Sequence, residues 1–356
     1  MEGLFSLLDG HEQVIFGNDA ETGLRCIIAI YSTALGPALG GSRFFPYPAE
    51  RSALVDALRL SKAMAYKAAC AGLDLGGGKA VIIGDPKRDK TEPLLRAYGR
   101  VIASLGGRYI TACDIGTYPA DMAVVRRETR WVTGADPIEG GAGDSAILTA
   151  YGTYIAIKTC AERRWGSEDL GGRHIAIQGC GKVGRRLAGH LHAEGARLTV
   201  ADIDEAAAAM CADQYGAQVV TPEKIHAVDA DVFSPNAFGA VLNDQTIVEL
   251  QCAIVAGAAN NQLAEDRHGL ALAEAGILYA PDYVANAGGL IQVAGELHPH
   301  GYSEERARAC VDATRARLHE VFSRAEREGI STAQAADRIA EERMAAVGRL
   351  RRFWLA

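Results

Sequence analysis

His174-Ile175-Ala176-Ile177-Gln178-Gly179-Cys180-Gly181-Lys182-Val183-Gly184, followed by Arg197-Leu198-Thr199-Val200-Ala201-Asp202, is the stretch on which the fold turns. The apolar run from His174 to Gln178 reads as a buried strand and passes straight into a G-x-G-x-x-G loop that opens a helical pattern toward His192. Gly179 permits the tight turn, Gly181 lets backbone approach a pyrophosphate, and Gly184 lets helix and strand pack closely, with phosphate at the helix N-terminus. Cys180, Lys182 and Val183 complete the loop. The next apolar run ends at Asp202, whose carboxylate can accept hydrogen bonds from ribose hydroxyls. Ile203-Asp204-Glu205 adds negative charge and supplies no Arg for a 2′-phosphate, so the expected cofactor is NAD rather than NADP.

Outward from this signature, β-rich runs at His174 to Gln178, Arg197 to Ala201, Gln218 to Val220, Asp231 to Phe233, Ala253 to Val255 and Ile277 to Tyr279 alternate with helical stretches. That alternation predicts a doubly wound parallel sheet. Upstream, Gly140-Gly141-Ala142-Gly143-Asp144-Ser145 leads into a long helical pattern through Ala161, with Asp144 or Ser145 as its N-cap. Before it lie strand-like runs at Cys26 to Ser32, Ala80 to Gly84 and Arg108 to Ala112, and helices around Arg51 to Cys70 and Glu92 to Leu105. The expected organisation is α/β with two domains. Residues 1–140, joined by a helical tail from about 330 to 356, form an α/β substrate and oligomerisation domain, and residues 141–329 form a Rossmann-type NAD-binding domain.

Composition narrows the function. At 356 residues, 49% hydrophobic and 23% charged, the chain is long enough for two cores and is neither disordered nor fibrous. Lys and Arg number 37 against 44 Asp and Glu, a net charge of -7 that repels nucleic-acid phosphate. No apolar run approaches the roughly 18 residues of a membrane span, and the first residues have no basic start before an apolar stretch, so a cytoplasmic protein is expected. The eight cysteines include no Cys-x-x-Cys pair and no nearby His, so no metal site is expected. Most read as buried reduced thiols.

Candidate chemistry lies in the first half. Lys67 sits in the alanine-rich helical pattern Ser61 to Cys70, and Lys79 follows Gly76-Gly77-Gly78, glycines that leave room for a substrate beside it. A lysine enclosed by apolar surface or near another cation can serve as base or nucleophile. The strand from Arg108 to Cys113 ends at Asp114, a carboxylate at the edge of a sheet, where α/β sites collect. Spacing alone leaves plainer readings open: a snorkelling surface lysine at 67, a loop lysine at 79 and a turn former at 114.

The chain resembles the glutamate/leucine/phenylalanine/valine dehydrogenase family over nearly its whole length, nearest its valine and leucine dehydrogenases. The segments that carry the resemblance are Leu35-Gly36-Pro37-Ala38-Leu39-Gly40-Gly41, Leu75 to Lys79, Ala112-Cys113-Asp114, Gly140 to Ser145, Gly257-Ala258-Ala259-Asn260-Asn261-Gln262, Ala280-Pro281-Asp282-Tyr283 and Asn286-Ala287-Gly288-Gly289. The resemblance implies that Lys67 holds a substrate carboxylate, Lys79 activates water or the amine, and Asp114 shuttles its proton. It implies that Asn260 contacts the substrate amino group and the nicotinamide region, and that Thr149 reaches the carboxamide. It assigns the side-chain pocket to Leu39, Met64, Ala112, Leu290 and Val293, with Gly40 and Gly41 allowing close approach. The implied reaction is reversible oxidative deamination of an amino acid to its 2-oxo acid and ammonia.

An apolar pocket leaves a second carboxylate unpaired, which disfavours glutamate and favours valine, leucine or isoleucine. The same chemistry on phenylalanine or tryptophan, or a non-catalytic NAD-binding relative, are the alternatives. The sequence departs from the family at Phe233-Ser234-Pro235-Asn236-Ala237-Phe238-Gly239-Ala240, where relatives usually carry small-Pro-Cys-Ala-Leu-Gly-Gly. Cys113 reads as packing. A homo-oligomer is expected, as relatives assemble as dimers to octamers and the alanine-rich tail offers an interface.

Overall fold

The structure, a computed structural model, describes residues 3–237 and 239–350. Phe238 and residues 351–356, the end of the expected tail, lie outside the described residues. The chain divides into two units: Met1–Gly143 with Val293–Glu304 and Ala340–Ala356, and Asp144–Gln292 with Glu305–Ile339. The sequence placed the return to the first unit at about residue 330; the units separate instead at Ala340, and a second returning segment, Val293–Glu304, belongs to the first unit.

In the first unit, a mixed sheet is built from β1 (Gln13–Asp19), β2 (Leu24–Ser32), β3 (Ala38–Phe45), β4 (Gly76–Ile83) and β5 (Tyr109–Cys113), in the order β1-β2-β4-β3-β5. β2 runs antiparallel to β1 and β4, and β3 runs parallel to β4 and β5. The Leu24 to Ile30 run is nearly continuous in apolar residues because both faces of the sheet are covered. Helix α1 (Glu50–Cys70) lays Ala53, Leu54, Ala57 and Leu58 on Ile27, Ala29 and Val81. Helices α2 (Glu92–Ala103) and α3 (Pro119–Arg126) lay Leu94, Leu95, Tyr98, Ile102, Met122 and Val125 on the opposite face, against Cys26, Ile28, Ile30, Ala80 and Ile82. Each Ile or Leu so buried stabilises the fold by roughly 1.5–3 kcal/mol before conformational entropy is set against it.

The strands β1 and β3 were not expected. β1 is an edge strand with half-exposed residues, and β3 contains Gly40 and Gly41, which read as a turn. Gly76 to Gly78 are also strand and not loop. A Cβ at Gly77 would lie 2.2 Å from the backbone nitrogen of Ala65 in α1, and one at Gly78 would lie 2.6 Å from the Tyr109 ring. These glycines bring α1 and Tyr109 against the sheet; they do not leave a gap.

The second unit carries β6 (His174–Gln178), β7 (Arg197–Ala201), β8 (Gln218–Val219), β9 (Val232–Pro235), β10 (Ile254–Val255) and β11 (Leu278–Tyr279). All pairs are parallel, in the order β11-β10-β9-β6-β7-β8. The order reverses at β6, the crevice position at which such sheets bind dinucleotides. The long helix α4 (Ala146–Trp165) starts at Ser145, whose side chain caps nothing; Asp144 instead accepts from the Ala146 backbone N–H at 3.1 Å and pairs with Arg186 at 2.9 Å. Helices α5 (Lys182–Ala193) and α6 (Glu205–Tyr215) follow β6 and β7. Among the described residues no helix is long and apolar enough to cross a membrane.

Candidate active site

The first unit's site grows out of a strand order. β3 lies between β4 and β5, so a residue of β4 and one at the end of β5 stand two strand spacings apart, roughly 9–10 Å. Register pairs Gly41 with Ala112, and Asp114 continues that strand. Side chains alternate along each strand, which puts Leu39, Gly41, Arg43, Lys79, Val81, Ala112 and Asp114 on the face covered by α1. Between Lys79 and Asp114 the strand offers Gly41, and the two long side chains meet across it: Lys79 Nζ donates to Asp114 Oδ2. A Cβ on Gly41 would lie 2.9 Å from Asp114 Cβ and 2.5 Å from the Cys113 carbonyl oxygen. The missing side chain therefore makes room for the ion pair.

Lys79 is buried, with 6% of its surface exposed. Burial pushes the Asp114 carboxyl up, but the charges of Lys79 and Arg43 outweigh it and hold the group below its ordinary range. The backbone behind Asp114 is pinned by Thr117, whose hydroxyl accepts from the Asp114 N–H at 2.9 Å and donates to the Ser42 carbonyl at 2.8 Å. Gly116, at φ +80°, closes this turn against the Phe44 carbonyl. Cys113 points to the opposite face, into the α2 side of the core, and burial pushes its thiol up to about 12, so it packs as a thiol.

Lys67 and Met64 lie half-buried on α1, the helix that covers this face, close to the Ala65 that touches Gly77. Leu39 and Ala112 are buried on the face itself. A Cβ on Gly40 would lie 1.7 Å from the Gly78 carbonyl oxygen, and the Tyr109 hydroxyl donates to the Gly40 carbonyl at 2.6 Å. What approaches Gly40 closely is thus neighbouring backbone. Val293 belongs to the first unit and Leu290, on the same short helix Gly288–Ala294, to the second.

Arg43 and its anchors were missed by sequence reasoning. Arg43 Nε lies 3.4 Å from Asp114 Oδ2, its Nη1 donates to Asp56 at 2.8 Å, and the Tyr47 hydroxyl donates to Asp56 at 2.6 Å. The available signal was the two-residue period from Gly41, which becomes visible only once β3 is read as a strand.

In the second unit, Gly179 adopts φ +95°, and a Cβ on Gly184 would lie 1.9 Å from the Gly179 carbonyl oxygen. Gly181 faces open space. No side chain caps α5 and its first turn holds no acid, so its leading N–H groups remain available to an anion. Asp202 accepts from the Cys180 N–H at 2.6 Å and the Asp204 N–H at 2.9 Å, which ties the acidic residue to the loop. Cys180 is buried and offers backbone only, while Lys182 is exposed and Val183 half-buried. These features fit a dinucleotide.

Asn260 is exposed, and its Oδ1 accepts from the buried Asn286 Nδ2 at 2.9 Å. Thr149 donates to the Ser145 carbonyl at 2.9 Å beside Gly289. At the divergent segment, Asn236 Oδ1 accepts from the Ala258 N–H at 3.0 Å while its Nδ2 donates to the Ser234 carbonyl at 2.9 Å. The asparagine joins the end of β9 to the loop that carries Asn260.

Comparison with known proteins bears on this arrangement. Residues 11–131 match the family model of the Glu/Leu/Phe/Val dehydrogenase dimerisation domain, and residues 199–352 match that of the glutamate/leucine/phenylalanine/valine dehydrogenases. A leucine dehydrogenase of Bacillus cereus is 50% identical over 97% of this chain and 94% of its own length. A valine dehydrogenase of Streptomyces coelicolor is 52% identical over 94% of this chain and 93% of its own. The crystal structure of L-tryptophan dehydrogenase from Nostoc punctiforme superposes with a TM-score of 0.86 at 45% identity, covering 98% of this chain and all of that one. With both units matched and half the residues identical to these relatives, the chain belongs to the glutamate/leucine/phenylalanine/valine dehydrogenase family.

Proposed function

We propose that this chain catalyses the NAD-dependent, reversible oxidative deamination of a branched-chain L-amino acid to its 2-oxo acid and ammonia. The observation that carries the proposal is the pairing of the buried Lys79 with the half-buried Asp114, in a chain half identical to leucine and valine dehydrogenases. Lys67, on α1, pairs with the substrate carboxylate and orients it. When bound, the dinucleotide supplies the hydride acceptor for Cα. Gly179, Gly181 and Gly184 hold its pyrophosphate, Asp202 its ribose, Thr149 its carboxamide and Asn260 the region beside the substrate amine.

Oxidation at Cα leaves an electrophilic imino acid. Lys79 takes a proton from water as its oxygen adds to that carbon, and the tetrahedral adduct then loses ammonia to give the 2-oxo acid. Asp114 accepts a hydrogen bond from Lys79 and steadies its ammonium form. The first unit's Leu39, Met64, Ala112 and Val293 offer the substrate side chain apolar surface and no charge, which disfavours glutamate, and Leu290 of the second unit is apolar too. Asp204, Glu205 and the lack of a nearby arginine after β7 support NAD over NADP. Copies of the chain assemble with one another through the first unit, as the name of its matching family model suggests.

A second reading, the same chemistry on an aromatic amino acid, is favoured by the likeness to the L-tryptophan dehydrogenase structure. A panel of L-valine, L-leucine, L-isoleucine, L-phenylalanine and L-tryptophan, followed by absorbance of reduced cofactor with NAD and with NADP, separates the two. The expected result is turnover with NAD and a kcat/KM for the best branched-chain substrate about tenfold or more above either aromatic one, the discrimination that a methylene or two of misfit supplies. A higher value for tryptophan or phenylalanine supports the second reading, and no turnover with any amino acid overturns both.

A further inference from the structure

Arg43 touches Asp114 yet has no part in the chemistry set out above. β3 carries it onto the same sheet face, one alternation beyond Gly41. Its guanidinium lies between two carboxylates, 3.4 Å from Asp114 Oδ2 through Nε and 2.8 Å from Asp56 Oδ2 through Nη1. Asp56 is fixed by the Tyr47 hydroxyl at 2.6 Å and faces an Arg59 nitrogen at 3.4 Å. Nε makes no aligned hydrogen bond among the described residues, so what it offers Asp114 is charge at short range. Arg43 Nε and Lys79 Nζ address the same oxygen of Asp114.

The surroundings of Asp114 make that charge matter. The ionisable groups acting on it are Lys79 from β4, Arg43 from β3, and the Tyr109 phenol and Cys113 thiol from β5, these two on the opposite face. Burial alone favours a protonated carboxyl, and two cations reverse the balance. One of those cations is the lysine that must release a proton during each turnover. If it were the sole partner, the aspartate would tend to pick the proton up and become a neutral acid. Arg43 keeps its charge throughout.

We propose that Arg43 is a positioning residue of the amine-oxidising site: anchored by Asp56 and Tyr47, it keeps Asp114 ionised and turned toward Lys79 in both protonation states of the lysine. This role rests on the function proposed above for Lys79 and Asp114. Proton traffic then runs through Lys79 and water, with Asp114 as a constant acceptor.

The test is the pH profile of kcat/KM for L-leucine in Arg43→Met, Arg43→Lys and Arg43→Gln. In Arg43→Met the acid limb moves to higher pH by about one unit or more, as removal of a cation in contact with a half-buried carboxylate requires. Arg43→Lys restores most of that position. Arg43→Gln, which keeps a donor for Asp56 and removes the charge, moves the limb the same way, and decides the matter should Arg43→Met not fold. A loss uniform across pH, with the limb unmoved in the folded variants, overturns the role. Should the unmodified chain turn over no amino acid, the function above has failed and Arg43 is still tested. The Asp114 carboxyl carbon resonance, assigned through Asp114→Asn, then titrates at higher pH in Arg43→Met, or in Arg43→Gln, if the role is right. It titrates unchanged if the role is wrong.

Discussion

At the scale of single residues, the site depends as much on a side chain that is missing as on those present. Lys79 and Asp114 start two strands apart and meet because Gly41 puts nothing between them. Adding one methyl there sets a Cβ against the Cys113 carbonyl at 2.5 Å and against Asp114 Cβ at 2.9 Å, so backbone or aspartate must move. Gly41→Ala is therefore expected to lower kcat by about 100-fold or more, since a shift of about 1 Å in a catalytic group costs on that order. NADH binding, which belongs to the second unit, should be unchanged. Wild-type kcat in Gly41→Ala, measured beside NADH affinity, would show that the packing around Gly41 is not needed. Lys79 and Asp114 stood out in sequence as candidates because Lys79 lies between three glycines and an apolar run and Asp114 follows another such run. Arg43 was not, because Gly40 and Gly41 concealed the strand whose alternation places it.

At the scale of elements, the two sheets were unequally legible. The strands of the second unit announce themselves as apolar runs between helical stretches, and the order reversal at β6 follows from the βαβ pattern. In the first unit the runs of β2 and β5 were visible, whereas β1 carries half-exposed residues at a sheet edge and β3 is held by contacts with β4 and β5 that its own sequence does not advertise. The glycines of β4 looked like a loop because their reason, the approach of α1 and Tyr109, lies far away in the chain. The divergent segment after β9 shows a different trade. Asn236 gains three side-chain hydrogen bonds, while Ala240 is left at φ +61°, a left-handed conformation that favours glycine. Ala240→Gly relieves about 1–2 kcal/mol of strain and gives back roughly 0.4–1 kcal/mol through the freer unfolded chain. A net gain of about 0.5 kcal/mol in urea-unfolding free energy is expected, and a loss would mean that Ala240 makes contacts worth more than its strain.

At the scale of the whole molecule, each unit is closed by segments distant in sequence. In the first, the returning Glu296 accepts from the Gly134 N–H at 3.0 Å and the Ala142 N–H at 2.8 Å, while Glu341 accepts from the Tyr66 hydroxyl at 2.7 Å and Arg343 pairs with Asp74 at 2.8 Å. Such contacts explain why the tail rejoins at Ala340 and why the boundary near residue 330 drawn from helical spacing fell short: helicity says nothing about which unit a helix docks on. The proposed acid–base pair, Lys79 and Asp114, lies in one unit and the glycine-rich loop from Gly179 to Gly184 in the other, so the two proposed roles can be probed apart. Lys79→Ala does this most directly, with L-leucine turnover and NADH affinity measured on the same preparation. The account predicts a fall in kcat of about 10²–10⁴-fold with NADH affinity kept within about twofold; a kcat within tenfold of the unmodified chain, NADH still bound, would contradict it.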